Sequence, residues 1–215
     1  MFYTYLNIHD IGGGFYIHGF GAAFGILASW IYSQKSNCKD NPNIKASYNS
    51  ATLTFIGTFF LWWLFPFFNW INSNYYIPFN LKFLAIQNTF WALMTSTTFS
   101  FCWSMLVSKG KLWLDHIINS SISGAIIISS WADMYYNIWG PLFIGAIGGI
   151  ISTLWYRYLS KVAEMWYLFD TRGIVNLHWI PALFGAIIWS ITTTLLLNPL
   201  FGNPSDTLKN YFKNI

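Results

Sequence analysis

The sequence predicts an all-α integral membrane protein with about six transmembrane helices. Of its 215 residues only 8% are charged, while 55% are hydrophobic and 21% aromatic. A soluble domain spends roughly 25% of its residues on charge to cover its surface, so a water-soluble globule is excluded. Disorder is excluded as well, because it requires low hydrophobicity. The apolar residues fall into runs near the roughly 20 residues that cross a bilayer as a helix. They do not alternate with polar residues, as the strands of a membrane barrel would.

Six such runs lie at about 12–32, 51–71, 83–107, 117–132, 139–159 and 174–197. The fourth is the weakest, because Asn119, Ser120, Ser121 and Ser123 dilute its hydrophobicity. Together they make a single transmembrane domain over residues 1–198, followed by a C-terminal tail at 199–215. The lipid bilayer is therefore the first partner. The net charge of +4 comes from bases scattered through loops, which gives no footprint for nucleic acid. Cys38 and Cys102 alone suggest neither a metal cluster nor a disulfide scaffold, and no cofactor is expected.

Loop charges set an orientation. The loops after helices one, three and five hold Lys35, Lys39, Lys45, Lys109, Lys111, Arg157, Lys161 and Arg172. The opposite side holds only Lys82, Lys209 and Lys213. The first set belongs on the cytoplasmic-type side, with both termini on the other. The opening MFYTYLNIHD has neither the basic-then-apolar pattern of a secretory leader nor the Arg-rich character of a transit peptide. Either the first helix is its own insertion signal, or the chain is made inside an organelle. Heavy use of Phe, Tyr, Ile and Asn, as an AT-rich genome encodes, points weakly to the second.

The two ends of the chain repeat one another. Asp10-Ile-Gly-Gly-Gly-Phe-Tyr-Ile-His18-Gly-Phe-Gly-Ala-Ala-Phe-Gly25 aligns with Asp170-Thr-Arg-Gly-Ile-Val-Asn-Leu-His178-Trp-Ile-Pro-Ala-Leu-Phe-Gly185 at a constant offset of 160. Asp10 pairs with Asp170, Gly13 with Gly173, and His18 with His178. Helix one starts from the outer side and helix six from the inner side, so the copies run antiparallel, as in inverted-repeat transporters. Each Asp stands where a helix N-terminus favours a cap or a negative charge. Each His lies about 12 Å deeper if the segment is helical. Two such helices can bring both imidazoles together near the midplane. An intramembrane His is costly and is read first as functional, and two at matching positions strengthen that reading over a plain helix contact. For the aspartates, capping is the simpler role. Gly19, Gly21, Ala22, Ala23 and Gly25, with Gly145, Gly148 and Gly149, read as close helix packing.

The run from Asp10 to Gly25 resembles the Rhesus branch of the ammonium transporter family (Amt/Rh). Gly57-Thr-Phe-Phe-Leu-Trp-Trp-Leu-Phe-Pro-Phe-Phe-Asn69, Gly148-Gly-Ile-Ile-Ser-Thr-Leu154 and Asp170 to His178 agree with it in the same order. Asn88-Thr89 and His116-Ile-Ile-Asn119 also fit. The resemblance covers about residues 6–196 and implies a channel, not an enzyme. It implies an all-helical bundle, usually a homotrimer with a pore in each protomer. It implies that His18 and His178 are the paired pore histidines, hydrogen-bonded to one another. Asp10 matches the acidic residue near the outer vestibule, Asp170 its repeat counterpart, and Phe68 one of two gating phenylalanines. In the resembling mechanism ammonium sheds its proton and ammonia passes an apolar lumen.

The chain departs from that pattern in several places. It corresponds to the family's fifth to tenth helices, a partial bundle with an incomplete inverted repeat that lacks the four leading helices and the last. Trp179 follows His178 where the Rhesus pattern has Gly, and Trp131 stands where small residues are usual; either ring could plug a lumen or sit at an interface. Arg172 could neutralise Asp170. Three readings follow: one piece of a split ammonium channel whose other helices come from other membrane subunits, a non-transporting structural subunit of a larger complex, or an enzyme or haem subunit. The last is weakest, because no Cys-x-x-Cys-His or nucleophile motif is present. The family places the protein in the plasma membrane; the alternative is an organellar, mitochondrial inner membrane.

Overall fold

The structure is a computed structural model that describes residues 10–32, 47–71, 79–134, 137–165, 168, 170 and 173–197. Arg172, the loop lysines Lys35, Lys39 and Lys45, and the tail at 199–215 lie outside the described residues. Six helices are present among those described. Helix α1 opens with a π-helical turn, Gly14–Gly19, and continues as Phe20–Tyr32; α2 is Tyr48–Ile71, α3 Phe79–Val107 and α4 Leu114–Ser129. Helix α5 runs from Trp139–Leu154 through a π-helical turn, Trp155–Leu159, into Ser160–Met165. Helix α6 opens with a π-helical turn, Val175–Trp179, and continues as Ile180–Leu197. The fold class read from the sequence is the one observed.

Five of these helices are long and apolar enough to cross a membrane. The exception is α4, with 16 residues. It begins three residues before the run expected at 117–132 and ends at Ser129, after which Trp131 and Met134 close successive turns onto Ile128 and Trp131 carbonyls. Its polarity is explained by where it sits. Twelve of its sixteen residues are buried, so α4 faces protein on nearly every side and lipid on almost none. Helix α2 is the reverse case. Only Phe65, Pro66 and Asn69 are buried, while Leu53, Phe60, Leu61 and Leu64 are exposed and suited to hydrocarbon.

Helices α3, α4 and α5 pack closest, and small residues make that possible. A side chain on Gly145 would strike the Ala92 carbonyl and the Thr95 hydroxyl, and one on Gly149 the Ser96 carbonyl. Gly124 and Gly148 meet backbone to backbone, with 2.9 Å between the Cα of one and the place of a Cβ on the other. Hydroxyls then join the helices. Ser96 Oγ donates to the Ser120 carbonyl at 2.6 Å and accepts the Gly124 N–H at 3.1 Å, bridging the two ends of one α-helical hydrogen bond of α4. Ser120 Oγ donates to Ser152 Oγ at 3.1 Å. Asn88 Nδ2 donates to the carbonyls of Ala132 and Met134 at 2.8 and 2.9 Å. In a bilayer, where apolar helices gain nothing by leaving lipid for each other, such close contacts and hydrogen bonds hold the bundle.

Two sequence readings are refined here. Gly21 has nothing within 4 Å of where a side chain would begin, so among the described residues it packs against no other helix. Trp131 is 1% exposed and lies in the core with Ile11, Ala92, Ile127, Ile128 and Ile144. Its indole Nε1 donates to the Ile127 carbonyl at 3.0 Å, so it is a buried packing residue.

Gly145→Ala and Gly149→Ala are expected to lower stability by about 1–3 kcal/mol through overpacking. Gly21→Ala should be neutral or slightly stabilising, since Ala favours a helix over Gly by up to about 1 kcal/mol. Thermal unfolding of the three variants in one detergent checks this ordering.

Candidate functional site

The site grows from two helix beginnings buried below the surface. The first-turn N–H groups of a helix have no intrahelical acceptor, and in a membrane there is little water to serve them. Asp10, 2% exposed, supplies the acceptor for α1: its Oδ2 takes the N–H groups of Phe15 and Tyr16, both at 2.9 Å. Asp170 does the same for α6, with Oδ1 on the Ile174 N–H at 2.6 Å and Oδ2 on the Val175 N–H at 2.8 Å.

The repeat extends to single bonds. Gly13 N–H donates to the Asp10 carbonyl and Gly173 N–H to the Asp170 carbonyl; Ile17 N–H donates to the Gly13 carbonyl and Leu177 N–H to that of Gly173. Both glycines hold left-handed backbone, at φ 73° and 71°. Left-handed backbone is adopted readily by glycine and is strained in most other residues. Each turn then passes into a π-helical segment that carries the histidine. Single π turns recur at functional sites, where the extra residue re-aims a side chain.

The two histidines meet. The ring centroids of His18 and His178 are 5.2 Å apart with planes 14° from parallel. Buried Nε2 of His18 and buried Nδ1 of His178 have no hydrogen-bond partner. Those two nitrogens therefore do not make the hydrogen bond that the family resemblance implies. They are donor or acceptor according to tautomer. Two phenylalanines of α2 complete the cluster. Phe65 stacks on His18 at 5.5 Å and 29°, and Phe68 tilts over it at 5.7 Å and 46°. Their own rings meet edge to face at 5.6 Å and 63°. Thus His18, His178 and Phe68 come together, while Asp10 and Asp170 stand behind them at opposite ends, committed to backbone N–H groups.

Phe65 was not picked out as a candidate by sequence, although it lies three residues before Phe68 and so on the same helical face. Trp179, which follows His178 in the π-helical turn, is half-buried.

Burial raises both aspartates above the ordinary value of 3.8, outweighing the N–H bonds that pull the other way. A raised carboxyl holds its proton in the folded state when the unfolded chain has already released it. Its contribution to stability is therefore complete below the unfolded value and is lost as pH rises through the folded one. Asp10→Asn and Asp170→Asn should flatten that decline, which begins at the 3.8 of an unfolded aspartate and runs upward from it. Asp170→Ala, which removes the cap outright, should cost about 0.5–2 kcal/mol at neutral pH. Unfolding temperatures measured across pH check both.

Comparison with known proteins identifies the family and the fold. The family model described as the Ammonium Transporter Family matches residues 1–211. Ammonium transporter Rh type B of Danio rerio is 34% identical over 203 residues, which is 94% of this chain and 44% of that protein. Rhesus-like glycoprotein A of Dictyostelium discoideum is 38% identical over 215 residues, 98% of this chain and 39% of that one. The solved structure of Nitrosomonas europaea Rh50 superposes with a TM-score of 0.77 at 26% identity, covering 87% of this chain and 48% of its own. Saccharomyces cerevisiae Mep2, at 19% identity and a TM-score of 0.67, shares the fold. The chain spans about half the length of the relatives it matches.

Proposed function

The chain belongs to the Ammonium Transporter Family, and from that premise we propose that it takes part in ammonia conduction across a membrane, with His18, His178, Phe65 and Phe68 lining the narrow part of the path. The observation that carries this reading is the stacked imidazole pair with two buried, unpartnered nitrogens against an aromatic wall. Ammonia is small and neutral, and both donates and accepts hydrogen bonds. A neutral imidazole meets it through the ring N–H or the bare nitrogen according to tautomer. An ion crossing the same place would lose its water to hydrocarbon and aromatic rings, at a cost far above that of a neutral amine. Ammonium therefore sheds its proton before the histidines, and ammonia alone goes on. In this reading Asp10 and Asp170 contribute by holding the two π-helical turns; the Asp10 oxygen that bonds Phe15 and Tyr16 is already engaged.

A passage needs a wall on every side. Phe68 is 37% exposed, and on α1 the residues Phe20, Phe24, Leu27 and Ile31 are bare. The proposal includes further transmembrane helices in the same assembly that cover this side, in a trimer if the assembly follows the family. The same open side supports a second reading, a non-transporting structural subunit in a larger complex, in which the histidines serve as packing. The basic residues Lys109, Lys111, Arg157 and Lys161 favour the cytoplasmic-type side for the inner ends of α3 and α5.

Native purification in mild detergent, followed by reconstitution into vesicles and an internal-pH readout of ammonia uptake, tests the proposal. His18→Ala and His178→Ala are each expected to change the uptake rate severalfold at equal protein content. Co-purification of many unrelated subunits, with uptake no faster than in empty vesicles, would favour the structural reading.

A further inference from the structure

The two halves of the site are anchored by different means. The outer leading turn is tied to α4 through backbone: Gly12 N–H donates to the Ser129 carbonyl at 2.8 Å and Ile11 N–H to that of Ser130 at 3.4 Å. Among the described residues, no backbone bond ties the inner turn at Gly173 to another helix. Side chains hold it instead. The Tyr156 hydroxyl occupies the place where a side chain on Gly173 would stand, and Asn119 Oδ1 lies 2.9 Å from the same point. Asn176 Nδ2 reaches Asp170 Oδ2 and Ser160 Oγ, each at 3.5 Å.

Tyr156 is braced from behind. Its ring lies against His116 at 6.0 Å, and His116 Nδ1 pairs with Ser104 Oγ at 3.1 Å. A line of contacts therefore runs from α3 through His116 and Tyr156 to the turn that starts α6. Gly173 is glycine for two reasons: its left-handed φ, and the hydroxyl beside its Cα.

We propose that Tyr156 is a positioning residue for His178. Its hydroxyl, wedged beside Gly173, fixes the inner turn and with it the register in which α6 begins. A slip of one residue there would turn the imidazole by about 100° around the helix, away from His18. The inner turn is thus held to its neighbours by side chains, the Tyr156 hydroxyl nearest among them, where the outer turn has two backbone bonds. The inference deepens the conduction reading and rests on it for its transport consequence.

The test uses the full chain in bilayers with 15N-labelled histidine. The chain has four histidines, and the His178 signal is assigned by its loss in His178→Ala. Tyr156→Phe keeps the ring against His116 and removes only the hydroxyl. The expected result is a shifted His178 imidazole signal and a severalfold change in ammonia uptake, with the unfolding temperature little changed. Gly173→Ala should lower uptake more, and Gly173→Ala with Tyr156→Phe should recover part of it, because the collision is gone. A His178 signal that stays in place in Tyr156→Phe overturns the proposal whatever uptake does. If the unaltered chain passes no ammonia, the conduction reading falls, and the His178 signal alone decides the role of Tyr156.

Discussion

Two carboxylates accepting backbone N–H groups at 2.6–2.9 Å set the frame in which the rest of the site is built. A helix that begins away from water brings its unsatisfied N–H groups with it, and they need an acceptor from the chain itself. In α1 and α6 that acceptor is an aspartate, followed by a left-handed glycine three residues on and a π-helical turn. Both helices solve the same problem with the same eight-residue path from Asp to His. Antiparallel placement then makes the imidazoles neighbours.

The rest of the bundle keeps these two helices in place, and it does so with a short, serine-rich helix, α4, at the centre. Hydropathy along a membrane protein reports contact with lipid, and α4 has little of it. Its serines bond Ser96 and Ser152 or their own backbone, and Gly124 lets α3 and α5 approach its main chain. Helix α2 carries bulky apolar residues around most of its surface, yet gives the bundle only one narrow face. That face supplies Phe65 and Phe68 to the site and Asn69 to the core, where its Nδ2 donates to Thr89 Oγ1 at 2.9 Å.

These facts explain what the sequence disclosed. The repeat was legible because it is written in residue types with one purpose each: Asp to cap, Gly for left-handed backbone, His at depth. The pairing of His18 with His178 followed from it. The start of α4 was not legible, because Asp115 and His116 look like loop residues. In the structure they form its first turn, where an acidic side chain suits the helix dipole and His116 is held by Ser104. The π-helical turns carry no signature in residue type. Phe65 and Tyr156 were hidden in runs of other aromatic residues, where only geometry distinguishes a ring that meets the site from one that meets lipid.

Trp131 shows how position decides the meaning of a large side chain. Beside a lumen an indole would obstruct. In the core it does the opposite, filling space between α4 and the turn before α1 so that Ile11, the residue after Asp10, has a surface to pack on. The chain of Ile11 and Gly12 can then bond the Ser129 and Ser130 carbonyls, which places Asp10 under the start of α1. The width of the proposed path is therefore set by Phe65 and Phe68, whose rings already touch His18 and each other. Phe65 is 7% exposed and fixed by the bundle, whereas Phe68 is 37% exposed and has the bundle on one side only. Of the two, Phe68 is the ring with room to swing, so a change in what packs against the open side of α2 would act on the path through it first.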